Sequence, residues 1–427
     1  MIQKVKIILL FFLLFTTGCS KGQNNNTLPI IDIEANIKNM QQINLSQFTN
    51  DIKYVPLQIR DDLAFVGFWD CEFSDKYILV KDLRKCFLYD FEGNVISKIG
   101  NQGRGPGEYN NARNGAFGPN NKIYIQDLYD LLEYNMDGSF SKKYDKCFLA
   151  NNDFIGSWFP ITDSLIFGKI SSLMGNEKNK ALIFNKNGTI KTQYKNYILF
   201  NRGRQLAGPE EINATIYKFQ NEIVFKEIYN DTIFYLSKEL ELIPKYLINL
   251  GKFSEPVSHR ENIIQENGLD FSTIWENYMQ LENVFQTQNY LILDCQFNVQ
   301  FPAKRLTPKI VMEGITSWYN TTRALGIYDK QTKELIFCKP TSTDNSLFTS
   351  GLYNDIDAGA RFFPKTQVND STMVMSIEAK QLKDHVASAD FKNTVVKYPE
   401  KKQQLEELAN RLTEFDNPVL MFVTIKK

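Results

Sequence analysis

The sequence predicts an all-β fold: a six-bladed β-propeller of four-stranded antiparallel blades, with a short C-terminal helix inserted in the last blade. Three observations carry that prediction. A short apolar run of strand-forming residues recurs six times, at residues 77–80, 122–125, 164–167, 222–225, 290–293 and 372–375. Five of the runs are followed by a similar turn phrase opened by an aromatic: Tyr89-Asp-Phe-Glu-Gly93, Tyr134-Asn-Met-Asp-Gly138, Phe184-Asn-Lys-Asn-Gly188, Tyr235-Leu-Ser-Lys-Glu239 and Tyr328-Asp-Lys-Gln-Thr332. Strand-built self-similarity at a period of roughly 40 to 50 residues is the mark of radial repetition, one repeat per blade. Finally, 32 Phe and 20 Tyr supply the flat, bulky side chains that fill the space between twisted sheets.

Taken in order, the blades span residues 66–100, 108–146, 148–197, 210–251, 271–340 and 351 to the C-terminus. The fifth is long because residues 297–323, with Pro302, Lys304, Arg305 and Pro308, form an excursion. In the sixth, residues 400–412 place Leu405, Leu408, Ala409 and Leu412 at helical spacing, which predicts a helix packed on the side or face of the ring. A ring must also be closed. Residues 51–57 and 419–425 read as strands left over from complete blades, and Pro56, lacking an N–H, confines the first to an edge. Setting that strand outermost on the sixth blade, beside the C-terminal strand, removes the open edges.

Ahead of the repeats, Lys4 and Lys6 precede an apolar stretch at residues 7–15, and Thr16-Thr17-Gly18 places small residues just before Cys19. The apolar stretch is shorter than the ~20 residues a spanning helix needs, so it reads as a removable signal. Small residues before Cys19 resemble a bacterial lipobox, in which the thiol is acylated. The expected organisation is a signal peptide at 1–18, a lipidated N-terminus and tether at 19–42, and the propeller at 43–427. An ordinary signal peptide with an incidental cysteine is the competing reading. Lys+Arg and Asp+Glu both number 49, so no net field recruits nucleic acid, and membrane contact is expected through the lipid anchor alone. The other five cysteines, Cys71, Cys86, Cys147, Cys295 and Cys338, are odd in number and irregular in spacing. They read as small buried hydrophobes, with Cys71 and Cys86 on strands separated by another strand.

Candidate binding residues lie in connections that share one face. The phrase at residues 101–108 has glycines that free backbone N–H groups; Arg104 and Glu108 belong to it, and a relaxed copy at 201–210 carries Arg204. The two arginines suit a carboxylate or sulfate, while the plainer reading makes both loops simple turns. No Gly-Lys-Ser/Thr ending is present, which excludes a nucleotide P-loop. Asp82, Asp127, Glu227, Asp294 and Glu378 open equivalent loops, with Lys169 in the third blade. Such repetition favours a structural task over catalysis, which needs asymmetry. Asymmetry occurs at residues 353–364, where Asp355 and Asp357 suit Ca²⁺ or a sugar hydroxyl, and Arg361, Phe362 and Phe363 follow; a capped turn with wedged aromatics is the alternative. His259 and His385 lack partners at metal-ligand spacing.

Residues 91–109, containing Gly-Pro-Gly-Glu, together with residues 226–234 and 353–359, resemble the recurring phrases of a six-bladed β-propeller lipoprotein family of Bacteroidota, relatives of NHL-type propellers. Ala358 departs from the family's usual glycine. The resemblance implies six blades and an envelope location, and no particular reaction. The expected function is therefore a lipid-anchored, monomeric, non-catalytic module of the outer membrane that binds a ligand, glycan or envelope protein through its loops. The alternative is a polysaccharide lyase or hydrolase with Asp and Arg groups at the channel mouth. No cofactor is expected, Ca²⁺ at Asp355 and Asp357 being the one candidate the residues offer.

Overall fold

The computed structural model describes residues 28–426, apart from 60–64, 66–68, 113, 151–152, 173, 202–213, 262–277, 298–308, 313–314, 319–321 and 341–349. Six blades form the ring, and each recurring apolar run is the second strand of its blade: Ile78–Asp82, Lys122–Asp127, Leu165–Ile170, Glu222–Glu227, Tyr290–Phe297 and Thr372–Ile377. Blade one shows the common pattern, an antiparallel meander of Trp69–Phe73, Ile78–Asp82, Cys86–Tyr89 and Val95–Lys98 from inside to outside. Burial explains the sequence signal. Second strands are covered on both faces by neighbouring blades, so Ile78–Asp82 is buried at every position, whereas the outer Val95–Lys98 alternates between half-buried and exposed.

Successive strands reverse direction. Connections from second to third strand, and from fourth strand to the next blade, therefore leave one end of the ring, the loop face. The remaining connections are short and leave the other end, the turn face.

The recurring turn phrase is a joint between blades. Gly93, Gly138 and Gly188 have φ of 85°, 86° and 76°, a region in which a side chain is strained. A Cβ on Gly138 would collide with the carbonyl of Lys98, at the end of the preceding blade's outer strand, and one on Gly93 would collide with that of Pro56. The Gly100 N–H donates to the Gly138 carbonyl at 3.2 Å and the Gln58 N–H to the Gly93 carbonyl at 2.8 Å. The aromatics complete the joint: Tyr89 donates to the Gln58 carbonyl at 3.2 Å, and Tyr134 to the Gly107 carbonyl at 3.1 Å.

Closure follows the expected pairing. Ile52–Pro56 is the outermost strand of blade six and runs antiparallel to Val419–Thr424, with Pro56 opposite Val419. Before reaching that position the chain makes two further contacts. Ile30–Asp32 adds a parallel fifth strand to the edge of blade four, against Leu242–Asn249, and Met40–Gln41 adds one to blade five, against Leu335–Cys338. Residues 30–42, expected as tether, therefore belong to the propeller, because Ile31, Ile33 and Ile37 are buried there and two blade edges are covered. The N-terminal segment is a belt over three consecutive blades.

The blade-five excursion contains a hairpin of Lys309–Met312 and Ile315–Trp318. In blade six the insertion holds three helices, Ala379–Ala387, Ala389–Asn393 and Pro399–Arg411, instead of one. Leu382, Val386, Phe391, Leu405 and Ala409 bury their side chains in one cluster with Ile52, Leu45 and Met421. Cys71, Cys86, Cys147, Cys295 and Cys338 are free and buried, and burial pushes the Cys86, Cys147 and Cys338 thiols up to about 12. Cys71 and Cys86 lie on the first and third strands of blade one, with the second strand between them.

Candidate functional site

The glycine-rich loop between blades one and two folds upon itself. The Gly105 N–H donates to the Glu108 carboxylate at 2.8 Å, the Glu108 N–H returns to the Gly105 carbonyl at 3.0 Å, and the Tyr109 N–H reaches the Asn101 carbonyl at 3.0 Å. Glu108 thus fills the backbone cup that an external anion would occupy. Gly107, at φ 73°, lies against the Phe140 ring of blade two. Arg104 is exposed on the loop. Arg204 and Cys19 lie outside the described residues.

Asp355 and Asp357 part company. The Asp355 carboxylate accepts the Ser46 N–H at 2.9 Å and the Ser46 hydroxyl at 2.6 Å, fastening the N-terminal belt. Asp357 is buried; its Oδ1 accepts the Asn354 amide at 2.7 Å, the Gly359 N–H at 2.8 Å and the Tyr54 hydroxyl at 3.2 Å. Burial raises its carboxyl to about 6 against the pull of those donors. Arg361 is buried with its guanidinium 5.0 Å from the Tyr353 ring centre. Ala358, at φ 60°, offers its carbonyl to His385 Nε2 at 2.6 Å. All four groups hold structure together. Among the described residues no cluster of three or more His, Cys, Asp or Glu side chains is placed to hold a metal ion.

Four of the five repeated acids likewise engage their carboxylates within the chain. Asp82 accepts the N–H groups of Arg84 and Lys85, both at 2.7 Å. Asp127 takes the Asn110 N–H and side-chain amide at 3.1 and 2.9 Å, pinning the end of the glycine-rich loop. Glu227 lies 3.9 Å from Lys180, and Asp294 accepts Arg323 Nε at 3.0 Å. Glu378 precedes the first inserted helix, and its carbonyl accepts the Leu382 N–H at 3.0 Å.

What the ring does bring together is a set of buried polar side chains near the loop-face ends of the second strands: Lys81, Gln126, Lys169, Lys226 and Asp294. Lys81 keeps its charge because Glu72 at 3.2 Å and Asp70 at 3.6 Å overcome the effect of burial. Gln126 donates to the carbonyls of Ile155 and Leu128 at 2.8 and 3.1 Å. Lys169 donates to the Ile170 carbonyl at 2.9 Å, and Lys226 to the carbonyls of Glu227 and Ile228. Burial lowers Lys226 to about 8 and raises Glu282, with Arg323 drawing the latter back. Gln126, Lys169 and Lys226 bind backbone carbonyls while Lys81 and Asp294 are held by charged side chains, and together they make a firmly bonded polar floor. In three blades they immediately precede the acids that the sequence displays so plainly; their own periodicity was the available signal.

Above the floor, Lys169, Glu227, Tyr229, Asn230 and Arg260 line a cavity of about 40 Å³. That is room for a water or a few, and too little for a sugar ring. Arg260 stacks on Tyr229 at 4.1 Å. Around the floor, at the tips of loop-face connections in blades one to three, Leu83, Leu128, Tyr129, Tyr197 and Leu199 are exposed.

A family model described as a domain of unknown function, DUF4934, matches residues 28–424. No curated protein matches the sequence. Among solved structures, the chain is similar to a protein of Bacteroides fragilis provisionally described as exported, with a TM-score of 0.66 and 17% identity over 94% of this chain and 100% of that one. It is also similar to a member of the DUF4221 family from Bacteroides vulgatus, with a TM-score of 0.47 and 10% identity over 88% and 97% of the two chains. A third similarity is to virginiamycin B lyase from Staphylococcus aureus, at 0.34 and 10%, over 67% and 87%. The first similarity shows a shared fold; the other two carry no argument about activity.

Proposed function

The chain belongs to the DUF4934 family, and on that footing we propose that it is a lipid-anchored propeller of the cell envelope that binds a protein partner through its loop face without catalysing a reaction. The signal-like residues 1–18 with Cys19 support the anchor, and the Bacteroides fragilis relative is itself described as exported. The observation that carries the binding reading is the distribution of exposed apolar side chains. Leu128 and Tyr197, 62% and 85% exposed, crown loop-face connections, whereas no large exposed apolar side chain among the described residues sits on a turn of the opposite face. Leu128 also has φ 57°, a conformation that costs a leucine about 1–2 kcal/mol and that Asn or Gly would adopt more cheaply. Exposed apolar groups set over a firmly bonded floor suit a protein surface better than a small molecule. A lyase or hydrolase reading draws no support from Asp355 and Asp357, whose hydrogen bonds are spent on Ser46, Tyr54 and Asn354.

Photo-crosslinking residues placed at Leu128 and Tyr197, and at Asp137 and Asn187 on the turn face, test this in the native envelope. Discrete adducts from the first pair alone are expected. Equal adducts from both faces, or none from the loop face, would remove the proposal.

A further inference from the structure

We infer that the seam where blade six meets blade one carries a second binding site, on the turn face, for a neutral saccharide. A crevice of about 350 Å³ opens there, within the size range of ligand pockets that begins at about 300 Å³. It is assembled from both sides of the ring closure. Ser74, Asp75 and Phe91 come from turns of blade one; Asn369, Thr372 and Phe422 come from blade six.

The chemistry of the walls selects the ligand. Its floor is aromatic: Phe91 and Phe422 have centres 5.9 Å apart, and Phe73 lies behind them at 6.3 and 5.8 Å. Its rim is rich in carboxylate, hydroxyl and amide groups. The Asp75 carboxylate is exposed and makes no hydrogen bond or ion pair among the described residues. Asn369 spends its Oδ1 on the N–H groups of Ser371 and Thr372, at 3.0 and 2.9 Å, and keeps its Nδ2 donor uncommitted. Thr372 and Thr424 face each other with hydroxyl oxygens 3.0 Å apart. An apolar platform beside acceptors and donors matches a sugar ring, which presents C–H groups on one face and hydroxyls at its edge.

Charge decides between neutral and acidic sugars. Asp51 and Asp75 stand on the rim, but Asp51 is paired with Lys401 at 2.7 Å, and the Lys53 ammonium is held by the Phe91 carbonyl at 2.9 Å and by Glu92 at 3.6 Å. A uronate or sulfated unit would meet the uncompensated Asp75 carboxylate, with Lys53 and Lys401 both already engaged. This site lies on the face opposite the proposed partner surface and does not rest on that reading.

The test is calorimetric titration of the full chain in detergent with maltotriose, cellotriose, mannotriose and N-acetylchitotriose, and with trigalacturonate as the acidic counterpart. At least one neutral trimer is expected to bind and trigalacturonate is not. Asp75→Asn keeps the shape of the side chain, and Asn369→Asp keeps the turn-capping oxygen while removing the Nδ2 donor. Each is expected to weaken binding about tenfold or more, as loss of a charge-assisted or neutral hydrogen bond does, with the unfolding midpoint of the free protein unchanged. Failure of every neutral trimer to bind, binding unaffected by both variants, or equal binding of trigalacturonate would overturn the assignment.

Discussion

Asp355 and Ser46, 309 residues apart in sequence, meet in a two-point contact: the carboxylate takes both the N–H and the hydroxyl of the serine. The pair fastens the belt to blade six just before the closing strand begins. Asp355→Ala is expected to lower unfolding stability in urea by about 1.5–3 kcal/mol, the range for hydrogen bonds to a charged group, and Ser46→Ala by about 1 kcal/mol, since its N–H remains. Neither change should alter crosslinking from Leu128 or saccharide binding at the seam, as a ligand-binding role for Asp355 would require.

The inter-blade joints differ in how tightly they close. At Gly138 both the backbone angle and the Lys98 carbonyl forbid a side chain, whereas at Gly188 the nearest atom to a new Cβ, the Lys146 carbonyl, is 3.4 Å away. Gly138→Ala should cost more than about 2 kcal/mol and Gly188→Ala about 1 kcal/mol, the latter reflecting backbone strain alone. Parallel urea titrations would expose the difference, and equal costs would show that the close approach is absorbed by movement of the blades.

Asp357 makes a prediction about pH. Its carboxyl is raised to about 6 in the fold, against an ordinary value of 3.8. Between these values the folded chain holds a proton that the unfolded chain has released, so this group's contribution to stability falls as pH rises from about 4 to 6 and stays lost above that. Asp357→Asn keeps an oxygen for the three donors and removes the buried charge. The variant should equal the parent near pH 4 and exceed it by about 1–3 kcal/mol at pH 7. A constant difference across that range would mean that Asp357 does not titrate there.

The belt should be indispensable. Ile33 is fully buried against blades four and five, so Ile33→Ala is expected to cost about 2–5 kcal/mol. A chain beginning at residue 43 should show a lower unfolding midpoint and associate through the uncovered edges of blades four and five, which sedimentation would report.

The ring itself was legible because second strands, buried on both faces, leave continuous apolar runs at a fixed interval, and because Pro56 admits only an edge position. The belt strands were not. Ile30–Asp32 and Met40–Gln41 are three and two residues long, too short for any alternation to register, and their partners lie more than 200 residues away. The three-helix insertion was legible only in its longest helix, since Ala389–Asn393 depends on a Ser388 cap and on burial of Phe391 that local spacing does not reveal. The bonding of the polar motifs was hidden for a related reason. Glu108 and Asp357 stand in conspicuous phrases, yet the groups that consume them are glycine N–H donors and a distant tyrosine. The seam crevice, by contrast, draws on separate short segments of both ends of the chain, each unremarkable in isolation.

The belt also sets the order in which the molecule yields to mechanical load. A pull applied to the chain ahead of Leu28 must strip Ile30–Asp32 from blade four, then Met40–Gln41 from blade five, then Leu45 and Ser46 from Tyr353 and Asp355, before any tension reaches Ile52–Pro56. The closing strand is therefore last in series. Were the chain held by its N-terminus to a moving surface, these short contacts would yield ahead of the ring and act as its mechanical fuses.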